Sequence, residues 1–415
     1  MLKLLSPLPL LKNPAAAPLF IARLISSAGV GFGQLALSWG VMSLGHGAKG
    51  LSVVLACNSI PALLLIFTGV IGDRFRRHHV LITAELLAST TWFGLGVCFI
   101  TKKAPFPLVC ALALLAGIAI AMFLPTIRGI VADLLPGDAR SAGNALISQT
   151  QSIGLLIGLA SSGLVVSTIG PGWAAFARSG LCATSALLLS RLKTSRWNNA
   201  GAGMLSDLRV GWREFIAYSW VWIMTVQYTA VIIAMICFTE LAGPLYMSQG
   251  HGGARAWGII TACEAFGALA GALIGANWRP SRLVLTAAAL PAMGAIPMLL
   301  LGGGAPWAVL AIAIIVPGAC QAAYYVLWTT ALQNTYAPEV LVRVNSWNIM
   351  ACYVLMPITV LSAGPLVEAI GPQNSALGSG LLIIAASATA LLVLRLTGPT
   401  PVTSTAPSQG ASLAS

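Results

Sequence analysis

The sequence predicts an all-α integral membrane protein with twelve transmembrane helices built as two related halves. Three observations carry the prediction: the composition, the length of the apolar runs and an internal repeat. Of 415 residues, 58% are hydrophobic and only 8% charged, whereas a soluble domain carries roughly a quarter of its residues charged. Within lipid, backbone groups must be satisfied inside each segment or in a closed barrel. Barrel strands alternate apolar and polar residues, and this chain instead has long unbroken apolar runs, so the spans are helices.

The runs set the elements in order. Between Arg23 and Lys49 there are 25 residues without Asp, Glu, Lys or Arg, and similar windows cover 50–72, 104–127, 215–239, 344–367 and 369–394. A span needs about 20 apolar residues. The run 283–338 is long enough for two and is broken at Gly302-Gly303-Gly304 and Pro306. The expected spans are 20–44, 50–72, 80–100, 106–128, 144–168, 172–192, 216–240, 256–276, 283–301, 306–332, 346–368 and 374–395.

The net charge of +12 is distributed as a membrane protein requires, so nucleic acid is not the expected partner. With the N-terminus inside, 17 of the 22 Lys and Arg residues fall on cytoplasmic loops and span ends. Five (Lys49, Lys102, Lys103, Arg178 and Arg255) fall outside. The positive-inside rule then places both termini in the cytoplasm. The eight cysteines lie in or beside apolar spans without a C-x-x-C pair, which excludes a disulfide framework and a metal site. No cleavable signal peptide is expected.

The repeat has a constant offset. Gly163, Val166, Ile169, Gly170 and Pro171 recur as Gly364, Val367, Ile370, Gly371 and Pro372, 201 residues later, and Asn144 recurs as Asn345. A six-plus-six duplication follows. The expected domains are an N-terminal six-helix bundle (1–192), a polar cytoplasmic linker (193–214), a C-terminal six-helix bundle (215–396) and a disordered cytoplasmic tail (397–415).

The loop after the second span reads Gly69-Val-Ile-Gly72-Asp73-Arg74-Phe-Arg76-Arg77. It resembles the signature loop of the major facilitator superfamily, G-x-x-x-D-R-x-G-R-R, with Arg76 in place of Gly. Shorter stretches in the same order, among them Phe123-Leu-Pro125, Gly243-Pro244-Leu245 and Leu327-Trp328, are similar to the drug-exporter branch of the macrolide- and siderophore-efflux type. The resemblance implies two six-helix bundles around a central cavity, the major facilitator fold. In place of that branch's antiporter signature, G-x-x-x-G-P-x-x-G-G, the fifth span has Gly154-x-x-x-Gly158-Leu159-x-x-Ser162-Gly163, without the proline. The family's geometry implies a cytoplasmic latch. Asp73 would face the start of span eleven at Asn345, and Arg74 or Arg77 would pair with Asp133. A carboxylate at a helix N-terminus is favoured by the macrodipole. The alternative is that these charges only fix topology.

Only ten acids exist. Glu85, Glu240 and Glu264 fall within spans, where an ionisable group is a functional candidate. Glu264 and, second, Glu240 are the candidate proton-coupling residues. A paired structural acid or a substrate contact are the alternatives for Glu264. Glu85 is expected to pair with loop arginines. The resemblance implies that spans one, four, seven and ten line the cavity. Its candidates are Gln34 and Trp39, Gln227 and Tyr228, and Gln321, Tyr324, Tyr325 and Trp328, each of which could instead be a packing or interfacial residue.

No nucleotide-binding G-x-x-x-x-G-K-[ST] motif and no metal or nucleophile constellation occurs, so no enzymatic activity and no cofactor are expected. The expected function is a proton-coupled exporter of hydrophobic or amphipathic small molecules, working by alternating access as a monomer in a bacterial inner membrane. A nutrient importer or symporter on the same fold, and a non-transporting sensor or assembly partner, are the alternatives.

Overall fold

The computed structural model describes residues 16–64, 76–135, 140–192, 212–336 and 338–397. All regular structure among them is helical. In the N-terminal half the helices are α1 (Ala17–Ser43), α2 (Gly47–Ser59, continued by a 3-10 turn at Ile60–Leu64), α3 (Arg77–Thr101), α4 (Phe106–Leu134), α5 (Arg140–Thr168) and α6 (Pro171–Leu189). The second half holds α7 (Ser219–Ser248), α8 (Gly253–Asn277), α9 (Leu283–Gly302), α10 (Trp307–Thr335), α11 (Pro338–Tyr353) and α12 (Met356–Thr397).

Nine helical stretches among the described residues are long and apolar enough to cross a membrane. The remaining spans follow from local chemistry. The second span is described only as far as Leu64, and α6, long enough at 19 residues, is less apolar and holds Arg178. One stretch counted among the nine runs from Trp347 to Thr397 and contains two spans, divided at Gly371, where φ is +82° and ψ 159°.

That break carries the repeat into the backbone. Gly170, the residue at the equivalent position, has φ +99° and ψ 166° and likewise precedes a proline that opens the next helix. Glycine adopts positive φ without a Cβ penalty, and proline at the first helical position loses no hydrogen bond. The pair therefore forms the same reversal between spans five and six and between spans eleven and twelve.

Within the first half α1 packs on α5 and α6, α3 on α4 and α6, and α2 on α4. Within the second half α8 packs on α10, and α7 and α9 pack on α12. The halves meet chiefly along α5 with α8 and α2 with α12. Small residues permit both approaches. A Cβ on Gly163 would stand 2.9 Å from the Cα of Gly258, and one on Gly364 would meet the side chain of Ser52. Lys49 and Glu368 add an exposed ion pair of 3.1 Å at the same end. These contacts all lie towards the face that holds the α1–α2 turn.

Candidate functional site

About two-thirds of the way along α7 the helix widens into a π-turn over Cys237–Ala242. Pro244 accounts for it, because it has no N–H for the carbonyl of Glu240 four residues earlier, and its ring would clash with that carbonyl in a regular helix. Single π-turns of this kind are frequent at functional sites. Gly243 and the fully buried Trp257 of α8 fit together there, since a Cβ on Gly243 would collide with the indole.

The turn sets Glu240 against the other half. The side-chain amide of Gln34 on α1 donates to Glu240 Oε1 at 3.2 Å. Glu264 on α8 lies within electrostatic range of Glu240, and Gln34, Glu240 and Glu264 are all half-buried. Gln34 is nine residues from the end of α1 and Glu264 eleven from the start of α8. At 1.5 Å per residue these are depths of about 14 and about 16 Å. An amide of one half thus bonds a carboxyl group of the other well inside the helices, with a second carboxyl group within electrostatic range.

The aromatic candidates form a column beside α7. Tyr228 stacks on Tyr324 with ring centroids 4.5 Å apart, and Gln321 donates its amide to the Tyr228 hydroxyl. Tyr324 stacks in turn on Trp328, which meets Trp220 edge-on. Tyr324 and Trp328 are buried within the second half, whereas Tyr325 is 57% exposed. Trp39 packs against the central core.

Gln227 stands apart from this group. It is buried and donates to the carbonyl of Ala288 on α9 at 2.6 Å and to Ser387 Oγ on α12 at 3.2 Å. It ties three helices of the second half together and does not accompany Gln34 and Glu240. One residue step turns a helix by about 100°, so Gln227 and Tyr228 cannot share a face.

A cavity of about 670 Å³ adjoins α7 on its half away from the joined face. Its walls include Trp212, Phe215, Trp222, Thr229, Ile233 and Leu355. Ligand pockets commonly measure about 300–1,000 Å³. Asn348 donates to Thr225 Oγ1 at 2.8 Å, and Thr229 Oγ1 donates to the Thr225 carbonyl at 2.8 Å. The wall therefore presents mainly apolar and aromatic surface. The signal for these residues was present: Trp222, Thr225, Val226, Thr229, Ala230 and Ile233 recur at helical spacing on one face of α7.

Two buried charges differ from expectation. Glu85 is not at a loop arginine. Its carboxyl lies inside the first half, where Ser185 Oγ donates to it at 3.0 Å and Ser26 and Cys182 also bond to it. Arg178, counted among the outer charges although the expected sixth span (172–192) contains it, is 5% exposed within α6. Its Nη1 donates to the carbonyls of Gly29 and Val30 at 3.3 and 3.2 Å, and its guanidinium lies 4.2 Å from the Trp92 ring centroid. A buried cation requires such acceptors and a π face to offset desolvation.

Of the expected latch, Asp73, Arg74 and the side chain of Asp133 lie outside the described residues. Arg77 opens α3, and Asn345 is half-buried on α11.

The likeness to known proteins spans nearly the whole chain. It is 24% identical over 405 residues to "Multidrug efflux pump Tap" of Mycobacterium tuberculosis (strain ATCC 25618 / H37Rv), covering 93% of this chain and 94% of that protein. The Mycolicibacterium fortuitum protein of the same name is 23% identical over 407 residues, covering 92% and 97%. Among solved structures, the nucleoside transporter NupG superposes with a TM-score of 0.72 at 12% identity, covering 92% of this chain and 99% of that one. A bacterial homologue of the human lysosomal transporter Spinster, inward-facing and unoccupied, gives 0.69 at 16% identity, covering 92% and 98%. The sequence profile of the Major Facilitator Superfamily matches residues 19–360. With this profile match, the duplicated helical halves and the polar cluster between them, the chain belongs to the major facilitator superfamily of membrane transporters.

Proposed function

We propose that the protein exports hydrophobic or amphipathic small molecules in exchange for protons, by alternating access, as a monomer in a bacterial cytoplasmic membrane. The observation that carries the reading is the hydrogen bond from Gln34 to Glu240 across the halves, with Glu264 within electrostatic range. An acid that is bonded to the opposite half in one state and released in the other can change its proton affinity as the halves rock, which couples proton movement to the conformational cycle. The relatives named as multidrug efflux pumps support the direction.

Both termini face the cytoplasm in this reading, and the bundles are residues 1–192 and 215–396, joined by the 193–214 linker and followed by the 397–415 tail. The halves are then joined on the outer side, and the aromatic cavity beside α7 opens towards the cytoplasm. Tyr228, Gln321 and Tyr325 with the cavity walls contact substrate. Glu240 and Glu264 exchange the proton. Asp73, Arg74, Arg77, Asp133 and Asn345 form the inner latch that closes when substrate is released outside.

The test is uptake of ethidium and rhodamine 6G into energised inverted vesicles carrying the protein. Uptake abolished by a protonophore supports the reading. Uptake indifferent to the protonophore, or no uptake of either dye above empty vesicles, contradicts it.

A further inference from the structure

The stretch of α1 just before Gln34 is weak as a helix. Gly29, Gly31 and Gly33 fall within five residues, and each glycine costs about 1 kcal/mol relative to alanine in a helix interior. The stretch is nevertheless held from outside by two neighbouring helices. Ser162 Oγ on α5 donates to the Gly31 carbonyl at 3.2 Å, and Arg178 Nη1 on α6 donates to the carbonyls of Gly29 and Val30.

The register matters. In an α-helix the Val30 carbonyl also receives the backbone N–H of residue 34, four positions on. The guanidinium therefore grips the turn whose next residue sends its side chain to Glu240. Gly33 serves the same contact, because a Cβ there would collide with Arg178 Nη1. The guanidinium is itself oriented by the Trp92 ring, and Glu85 and Cys182 lie within electrostatic range. Its Nε has no hydrogen-bond partner among the described residues. Burial without complete satisfaction is costly.

We propose that Arg178 is a positioning residue for the coupling site: it fixes the glycine-rich turn of α1 so that the Gln34 amide reaches Glu240 in the opposite half. The proposal rests on the assignment of Glu240 as a coupling acid only for its consequence in transport, and the hydrogen bond can be read without it.

The experiment is infrared spectroscopy of the full chain in lipid nanodiscs at one fixed pH. The Glu240 carboxyl band is identified by its loss in Glu240→Gln. Gln34→Ala supplies the frequency of Glu240 without its amide donor. Arg178→Ala is expected to move the band to that frequency, and Arg178→Lys, which keeps a cationic donor, to move it less. Where Arg178→Ala does not fold, Gly33→Ala displaces the guanidinium without removing it and is expected to give the same shift. A band left at the wild-type frequency in folded Arg178→Ala or Gly33→Ala, while Gln34→Ala shifts it, overturns the proposal. So does a band that Gln34→Ala leaves in place, since no bond then exists for Arg178 to position. Failure of the transport reading is separate: it shows as proton-driven dye uptake that survives Glu240→Gln, whatever the band does.

Discussion

Gly163 of α5 and Gly258 of α8 meet backbone to backbone. A Cβ on Gly258 would stand 2.7 Å from the Cα of Gly163. Together with Gly364 against Ser52, this is where the two halves join, on the face that holds the α1–α2 turn.

A bulky residue at Gly163 would act on this joined state alone. Overpacking costs about 1–3 kcal/mol, and a cost borne by one of two states shifts their ratio by roughly 5- to 150-fold. Gly163→Leu is expected to fold, to expose Ser52→Cys to a membrane-impermeant thiol reagent and to transport slowly. Labelling no greater than in the Ser52→Cys parent would show that the contact does not govern the joined state.

Pro244 is expected to be worth more to transport than to stability. Pro244→Ala restores a donor for the Glu240 carbonyl, so the π-turn can relax to regular helix and swing the carboxyl by up to one residue step, about 100°. Stability should hold or rise, by up to about 3 kcal/mol, the cost of a proline inside a helix, while proton-driven uptake falls. Unchanged uptake would detach the π-turn from coupling.

Gln227 should behave in the opposite way. Gln227→Ala removes the donor shared with Ala288 and Ser387 and should cost about 1–3 kcal/mol. Thermal denaturation in detergent reads the loss, and the relative uptake of different dyes should not change. A changed dye preference at full stability would return Gln227 to the cavity.

The cavity beside α7 can be filled from its open side. Val226 is 64% exposed on its wall, so Val226→Trp should fold normally. It should raise the KM for rhodamine 6G several-fold more than that for the smaller ethidium, because lost cavity volume excludes bulk first. An equal effect on both dyes would place substrate elsewhere.

How much of this was legible in the sequence depends on the scale of the feature. Lipid requires long apolar helices, so the runs alone give the all-helical class, and the Gly-Pro repeat at 170 and 371 recurs in the backbone as the same positive-φ break. Depth within a span was harder to read. Arg178 lies seven residues inside α6, within the expected sixth span although counted with the outer charges, and Glu85 lies eight inside α3. Only tertiary packing reveals the Trp92 face and the Ser185 hydroxyl that hold them in place of loop partners. Helix face was harder still. Gln227 and Tyr228 are adjacent in sequence and diverge in space, whereas Trp222 to Ile233 form a stripe that periodicity could have located. Glu264 ranked ahead of Glu240 on depth alone, while the amide that marks Glu240 comes from Gln34, 206 positions away.

The measurement that tests the account most directly compares Glu240→Gln with wild type in proteoliposomes, reading two processes with the same dye. One is accumulation driven by an imposed proton gradient, and the other is exchange of dye against dye with no gradient. Loss of accumulation with exchange intact is the predicted result, since the carboxyl would then carry the proton and not the dye. Accumulation equal to wild type in the variant would contradict it and remove Glu240 from the coupling path.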